Sequence, residues 1–369
     1  MRCRYNLSVA TRRRDLRLAK GAACVVFPRQ LWLSRPRATV AFLVARHLPW
    51  SWRRRLLQAF PYRRPNAPGT HLTPENDPPL AAVPLPLLAR YPTESNPWGS
   101  AGGDGSNGTP SKGARGPGED PLVSLVVVTH NGARVTQLCL KSLFAFTAYP
   151  CFEVVVVDNG SSDETMEILE GWAKREPRVR IIRNAQNLGF PAACNQGARA
   201  ARGEILVFLN NDTVLTPAWL EPLVEELLRN PKVGLVGPVS NGVANQARVR
   251  CPVRSWEELP LWVAYRARKH FRRWLPLPMV ALFCAAIRRE VWEEMGGLDE
   301  DFSPGLFEDD DLSERLREAG YELRCRLDSF VYHFQGASFS KLGDKTYLEL
   351  YERNRRLFWA KLKKRRRQR

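Results

Sequence analysis

Glu308-Asp309-Asp310-Asp311 places four carboxylates side by side, with His333 a short distance further along the chain. Adjacent carboxylates repel one another, so a globular domain keeps such a run where a cation, a proton or a cationic partner needs it. Gly305 and Leu306-Phe307 lead in from a turn, and Leu312, Leu316 and Ala319 then recur at helical spacing until Gly320. The run therefore falls at a loop-to-helix junction, where the helix N-terminus stabilises negative charge. An acidic first turn that only complements the helix dipole is the plainer alternative. Four more polar clusters stand out: Thr129-His130-Asn131-Gly132, Asp158-Asn159-Gly160-Ser161-Ser162-Asp163, Arg183-Asn184 with Asn187-Leu188-Gly189, and Asn210-Asn211-Asp212. Any one of them reads equally well as an Asx turn or a helix N-cap.

The elements around these clusters give them a common place. Ser124 to Thr129 is a continuous apolar, β-branched run, as expected of a strand buried on both faces. A helix over 133–146, a strand over 152–158, a helix over 163–174 and a strand over 179–183 follow. The pattern continues with a helix over 191–201, a strand over 204–209, a helix over 217–229 and a strand over 233–236. Strict alternation implies an α/β fold with a mostly parallel sheet and helices on both faces. In such sheets ligands bind beyond the carboxyl ends of the strands. All four clusters close strands, which predicts one polar rim able to hold a metal.

Charge is distributed unevenly along the 369 residues, whose formal net charge is +18. Residues 1–68 hold 16 Lys/Arg against Asp15 alone, and the tail 361–369 holds seven more, which leaves residues 69–360 mildly acidic at −4. Basic ends on an acidic body suit an anionic membrane surface and disfavour a nucleic-acid-binding core. Trp32, Phe42, Trp50, Trp52 and Phe60 among the N-terminal arginines resemble an interfacial helix. No apolar run reaches bilayer length, and Arg12-Arg13-Arg14 is followed by too few apolar residues for a signal peptide. The eight cysteines form no CxxC pair, so a reduced, cytoplasmic setting at the inner membrane face is expected. The expected organisation is a partly helical basic extension over 1–60, a Pro/Gly/Ser-rich linker over 61–120, a catalytic domain over 121–345, and a C-terminal helix with a basic tail over 346–369.

Val126-Val-Val-Thr-His-Asn131, Val155 to Asp163, Asn187 to Asn195, Gly203 to Asp212, Gly297 to Phe302, Glu308 to Leu312 and His333 to Ser338 occur in the order seen in one enzyme family. Over about residues 122–340 the chain resembles the family-2 glycosyltransferases of GT-A fold, the inverting enzymes of bacterial surface-polysaccharide synthesis, rhamnosyltransferases among them. The resemblance implies that Asp158 reads the nucleobase, that Thr129 and Asn131 enclose it, and that Asn187 and Asn195 line the nucleotide pocket. Gly189 would let the backbone approach closely. Asn210-Asn211-Asp212 occupies the family's Asp-x-Asp position, with Asn210 in place of the first aspartate. Asp212 would then carry the contact to Mn²⁺ or Mg²⁺, and Asn210 a hydrogen bond to ribose or sugar. His333 resembles the late histidine that completes the metal shell.

By motif position Asp309 is the candidate base for the acceptor hydroxyl, Glu308 the next, and Asp311 a residue that orients the helix or an acceptor hydroxyl. Trp256, Trp262, Tyr265 and Trp274 are interleaved with basic residues in a stretch that commonly shapes the acceptor site in this fold. The implied activity moves a sugar from a UDP- or dTDP-sugar to a saccharide or lipid-linked acceptor. The alternatives are a degenerate nucleotide-sugar-binding module, favoured by Asn210, or a basic-tailed protein that binds nucleic acid or membrane without transfer.

Overall fold

The computed structural model describes residues 120–334 and 344–368. The expected N-terminal extension and most of the linker lie outside the described residues. Eight strands form one sheet in the order β3-β2-β1-β4-β8-β6-β9-β7: β1 (Val123–Thr129), β2 (Phe152–Asp158), β3 (Val179–Arg183), β4 (Ile205–Asn210), β6 (Val233–Val239), β7 (Trp274–Pro276), β8 (Cys284–Arg288) and β9 (Glu322–Phe330). Every residue of β1, β2 and β6 is buried, which is why these segments read as unbroken apolar runs. The sheet is mostly parallel, as the alternation predicts. The exceptions are β8, which runs antiparallel to both β4 and β6, and the edge strand β7, antiparallel to β9.

Helices α1 (Ala133–Phe146), α2 (Thr165–Arg175), α3 (Phe190–Ala200) and α4 (Glu221–Arg229) follow β1, β2, β3 and the β4 region. The fourth is shorter than the expected 217–229, because Ala218 takes a left-handed φ of 57° that breaks helical geometry just upstream. Helices α5 (Glu258–Lys269), α6 (Arg289–Glu294), α7 (Glu308–Glu318) and α8 (Asp344–Arg367) complete the described chain. Gly320, at φ 91°, stops α7 where the sequence pattern ends. A two-stranded ladder, β5 (Thr213–Val214) with β10 (Tyr332–His333), sits beside the main sheet.

The register aligns the polar strand ends. Thr129 on β1 pairs with Asp158 on β2, which pairs with Arg183 on β3, while Asn210 on β4 sits opposite Val128. Beneath this rim a buried network holds the outer half together. Arg326 on β9 bonds Asp328 at 2.8 Å and 2.9 Å, Glu226 of α4 at 3.1 Å and Glu225 at 3.2 Å. Among the described residues all six cysteines are unpaired, and burial pushes the Cys139 and Cys325 thiols up to about 12.

Candidate active site

Asp158 ends β2 fully buried. Its Oδ2 accepts from the Ser161 amide at 3.3 Å, while Oδ1 is buried without a partner. A buried carboxylate oxygen left unpaired costs stability unless a ligand donor reaches it. Thr129, assigned with Asn131 to the base, is instead interior: its hydroxyl lies 3.0 Å from that of Thr136 and accepts from Asn211 Nδ2 at 3.0 Å. Asn211 also donates to Thr136 and to the Asn131 carbonyl, so it stitches β4 to the β1 loop and is not turned to a ligand. Asn131, in a left-handed conformation, accepts from the Ser162 amide at 2.8 Å, and its own amide donates to Ser161 Oγ at 2.8 Å. Asp163, singled out only as part of a cluster, accepts from the Gly132 and Ala133 amides at 2.7 Å and 3.1 Å and thereby caps α1.

Two asparagines expected at the nucleotide hold protein loops. Asn187 Oδ1 accepts from Asn159 Nδ2 at 2.9 Å and from the Gly189 amide at 2.8 Å. Asn195 accepts from the Leu298 amide and donates to the Leu298 carbonyl and Glu300, gripping the segment that precedes the acidic run. The hub of this region is Asn159, whose side chain also accepts from Asn184 and from the Leu188 amide. Nothing in its spacing distinguished it from an ordinary turn asparagine. Gly189 does permit a close approach, but of Ser303: a Cβ there would lie 1.9 Å from Ser303 Oγ.

The β5–β10 ladder brings Asp212 and His333 together across 121 residues, with His333 Nε2 3.0 Å from Asp212 Oδ1. The loop after β6 fixes the ring, because Asn241 bonds both backbone groups of His333 and Phe283 stacks on it at 4.8 Å. His333 Nδ1 lies 2.7 Å from the Gly242 carbonyl, an acceptor only, so Nδ1 carries hydrogen. A neutral ring then turns the Nε2 lone pair toward a carboxylate oxygen. That contact requires a positive species, either a second proton or a cation. Burial alone would lower the His333 pKa, but the charge and hydrogen bond of Asp212, with the Gly242 carbonyl, hold it above its ordinary value. The pair thus fits a divalent cation on chemical grounds. Among the described residues no group of three or more His, Cys, Asp or Glu side chains could hold a metal alone. Asn210 Oδ1 is buried without a partner at the end of β4.

The acidic run forms the first turn of α7. Leu306 and Phe307 enter it with φ of 77° and 75°, two consecutive left-handed non-glycine residues, a strain on the order of 1–3 kcal/mol each. Glu308 is buried with Oε2 unpartnered; burial and then the Asp310 charge raise its pKa to about 7. Asp309 keeps part of its surface in solvent, yet the protein crowds its carboxylate. That crowding, then the Asp310 and Glu308 charges, push its pKa well above the carboxylate range. Asp311 does not share this state. It is fully buried between Arg315 and Arg365, each 2.8 Å away, so its charge is spent on joining α7 to α8 and it is closed to an acceptor. The aromatic set upstream also divides: Trp256 packs on Tyr332 and Phe334 and Trp262 on Phe330, while Tyr265 and Trp274 are exposed, the latter under Arg324.

Residues 124–296 match the family described as Glycosyl transferase family 2. That segment is the part of the chain similar to the family 2 glycosyl transferases. The chain is 33% identical over 231 residues to the O-antigen biosynthesis protein RfbC of Myxococcus xanthus, a match covering 59% of this chain and 18% of that protein. The chain thus spans about a fifth of that relative's length. It is also 27% identical over 226 residues to the N-acetylglucosaminyl-diphospho-decaprenol L-rhamnosyltransferase of Mycobacterium tuberculosis, covering 54% of this chain and 72% of that enzyme. Among solved structures it is similar to GalNAc-T7 with UDP, GalNAc and Mn²⁺, at a TM-score of 0.48 and 22% identity, over 58% of this chain and 44% of the other. The acidic turn and His333 lie beyond the matched family segment.

Proposed function

We propose that this domain transfers a sugar, with inversion, from a UDP- or dTDP-sugar to a hydroxyl of a saccharide or lipid-linked acceptor in cell-surface polysaccharide or glycolipid synthesis. The observation that carries this reading is the arrangement along one set of rim loops of a buried, unpartnered Asp158 Oδ1 and a carboxylate turn in which burial and mutual charge raise Glu308 to about 7 and Asp309 well above the ordinary carboxylate range. Asp158 Oδ1 accepts the imide N–H of uracil or thymine. Asn210 Oδ1 accepts a hydroxyl of ribose or of the donor sugar. Asp212 and His333 would hold Mn²⁺ or Mg²⁺ beside the donor diphosphate. When bound, the cation neutralises charge on the departing diphosphate. Asp309 takes the proton from the acceptor hydroxyl as its oxygen bonds to the anomeric carbon and the bond from that carbon to the diphosphate breaks. Crowding by the protein, then the charges of Asp310 and Glu308, keep Asp309 basic.

The test is turnover by the full chain with Mn²⁺ or Mg²⁺ across UDP-, dTDP- and GDP-sugars. Metal-dependent release of UDP or dTDP is expected, with Asp309→Asn slower by about 10²–10⁴-fold. Release from a GDP-sugar alone would overturn the reading of the base. Absence of both release and nucleotide binding by calorimetry would favour the degenerate binding module, the reading that Asn210 supports.

A further inference from the structure

We infer that Asn354, on the C-terminal helix, is the positioning residue that fixes the strained turn presenting Glu308 and Asp309. The inference rests on the reading of that turn as the source of the base. Asn354 is fully buried, and its Nδ2 lies 2.8, 2.8 and 3.0 Å from the carbonyl oxygens of Phe302, Gly305 and Leu306. Two N–H bonds thus serve three acceptors, all in one short loop. The carbonyls sit immediately before and within the consecutive left-handed pair Leu306-Phe307. Such a pair persists only where its surroundings determine it.

Other contacts of the same helix bracket the loop without touching those carbonyls. Phe307 packs against Tyr351 and Phe358, Lys361 reaches Asp299 and Asp301 at 2.6 Å, and Arg365 reaches Asp311. From the opposite side Ser303 donates to the Leu188 carbonyl, and the Phe190 amide donates to Pro304. The turn is therefore gripped between α8 and the 187–190 loop, with Asn354 as the donor at its centre. Neither alanine nor aspartate can replace it: one has no donor, and the other would set a carboxylate against three carbonyl oxygens.

The experiment compares the full-length chain with Asn354→Ala, Asn354→Asp and, as a control on the exposed side of the same helix, Arg356→Gln. Steady-state rates are read beside nucleotide affinity for UDP, dTDP and GDP by calorimetry and beside the thermal midpoint. Expected is a fall in kcat of about 10- to 100-fold in both Asn354 variants. Donor KM and nucleotide affinity should stay within about twofold, and Arg356→Gln should match the parent. A kcat within twofold of the parent in folded Asn354→Ala overturns the inference. A parallel loss of kcat and nucleotide affinity also overturns it, because that is general unfolding. Should Asn354→Ala fail to fold, Asn354→Asp, which keeps the volume, carries the same test. Full activity of Asp309→Asn would sink the parent reading instead, so the two failures are distinct.

Discussion

Holding a carboxylic acid near neutrality costs the folded protein stability. Glu308 titrates at about 7 in the fold against an ordinary value of 4.5, so the folded state binds more protons than the unfolded state between those pH values. Stability therefore falls as pH rises from 4.5 through 7, by on the order of 3 kcal/mol. Glu308→Gln removes that cost. At pH 8 its thermal midpoint should lie above that of the parent, at pH 4 the two should coincide, and turnover should fall. A lower midpoint at pH 8 would show that ionised Glu308 is stabilised in the fold. At this scale the sequence was informative about some side chains and mute about others. The strand-end places of Asp158 and Asp212 follow from periodicity and turn chemistry, whereas His333 is reached only through the family resemblance. Asn159, Asn241 and Asn354 were not legible, since their significance comes from what faces them across 28 or more residues. Asp311 is indistinguishable in sequence from its neighbours, and only the arginines on either side set it apart.

Among the elements, the first four strands and their helices follow from periodicity alone, and the structure has them in the expected places. In the outer half of the sheet only β6 follows, expected over 233–236; β7, β8 and β9 do not. β8 is five residues, four of them small or apolar before Arg288, and its antiparallel insertion between β4 and β6 depends on long-range pairing that no local pattern encodes. What secures that half is the buried network around Arg326, which ties β9 to α4. Arg326→Met would leave Glu225, Glu226 and Asp328 facing one another without their central cation. Unfolding in denaturant should show a loss of about 3–5 kcal/mol. Turnover measured well below the midpoint should be little changed, because Arg326 and its partners are not among the site residues. A variant as stable as the parent would mean that the carboxylates redistribute onto Arg272 and Arg324, which already pair with them.

On the scale of the whole molecule, the acidic body and basic ends point to electrostatic docking. Lys363, Lys364, Arg366 and Arg367 are exposed on α8, and among the described residues no helix is long and apolar enough to cross a membrane. The basic residues 1–68 lie outside the described residues. We propose that these ends engage anionic lipid, each cation near the surface contributing about 1 kcal/mol. Cosedimentation with phosphatidylserine-containing vesicles should be strong at low salt, weaken as salt rises, and drop when the four α8 cations become Gln. Equal binding to neutral phosphatidylcholine vesicles would contradict this.

The ladder that joins Asp212 to His333 also sets a clock. A chain emerging from the ribosome at about 5–20 residues per second exposes Asp212 roughly 6–24 s before His333 appears. Asn195 likewise waits for Leu298 and Glu300, more than 100 residues later. Throughout that interval the nascent chain can pair its first four strands yet holds neither the Asp212–His333 contact nor the clamp before the acidic turn. Nascent-chain activity should therefore begin abruptly and late, and a prematurely terminated product would be a folded sheet with no chemistry to misdirect.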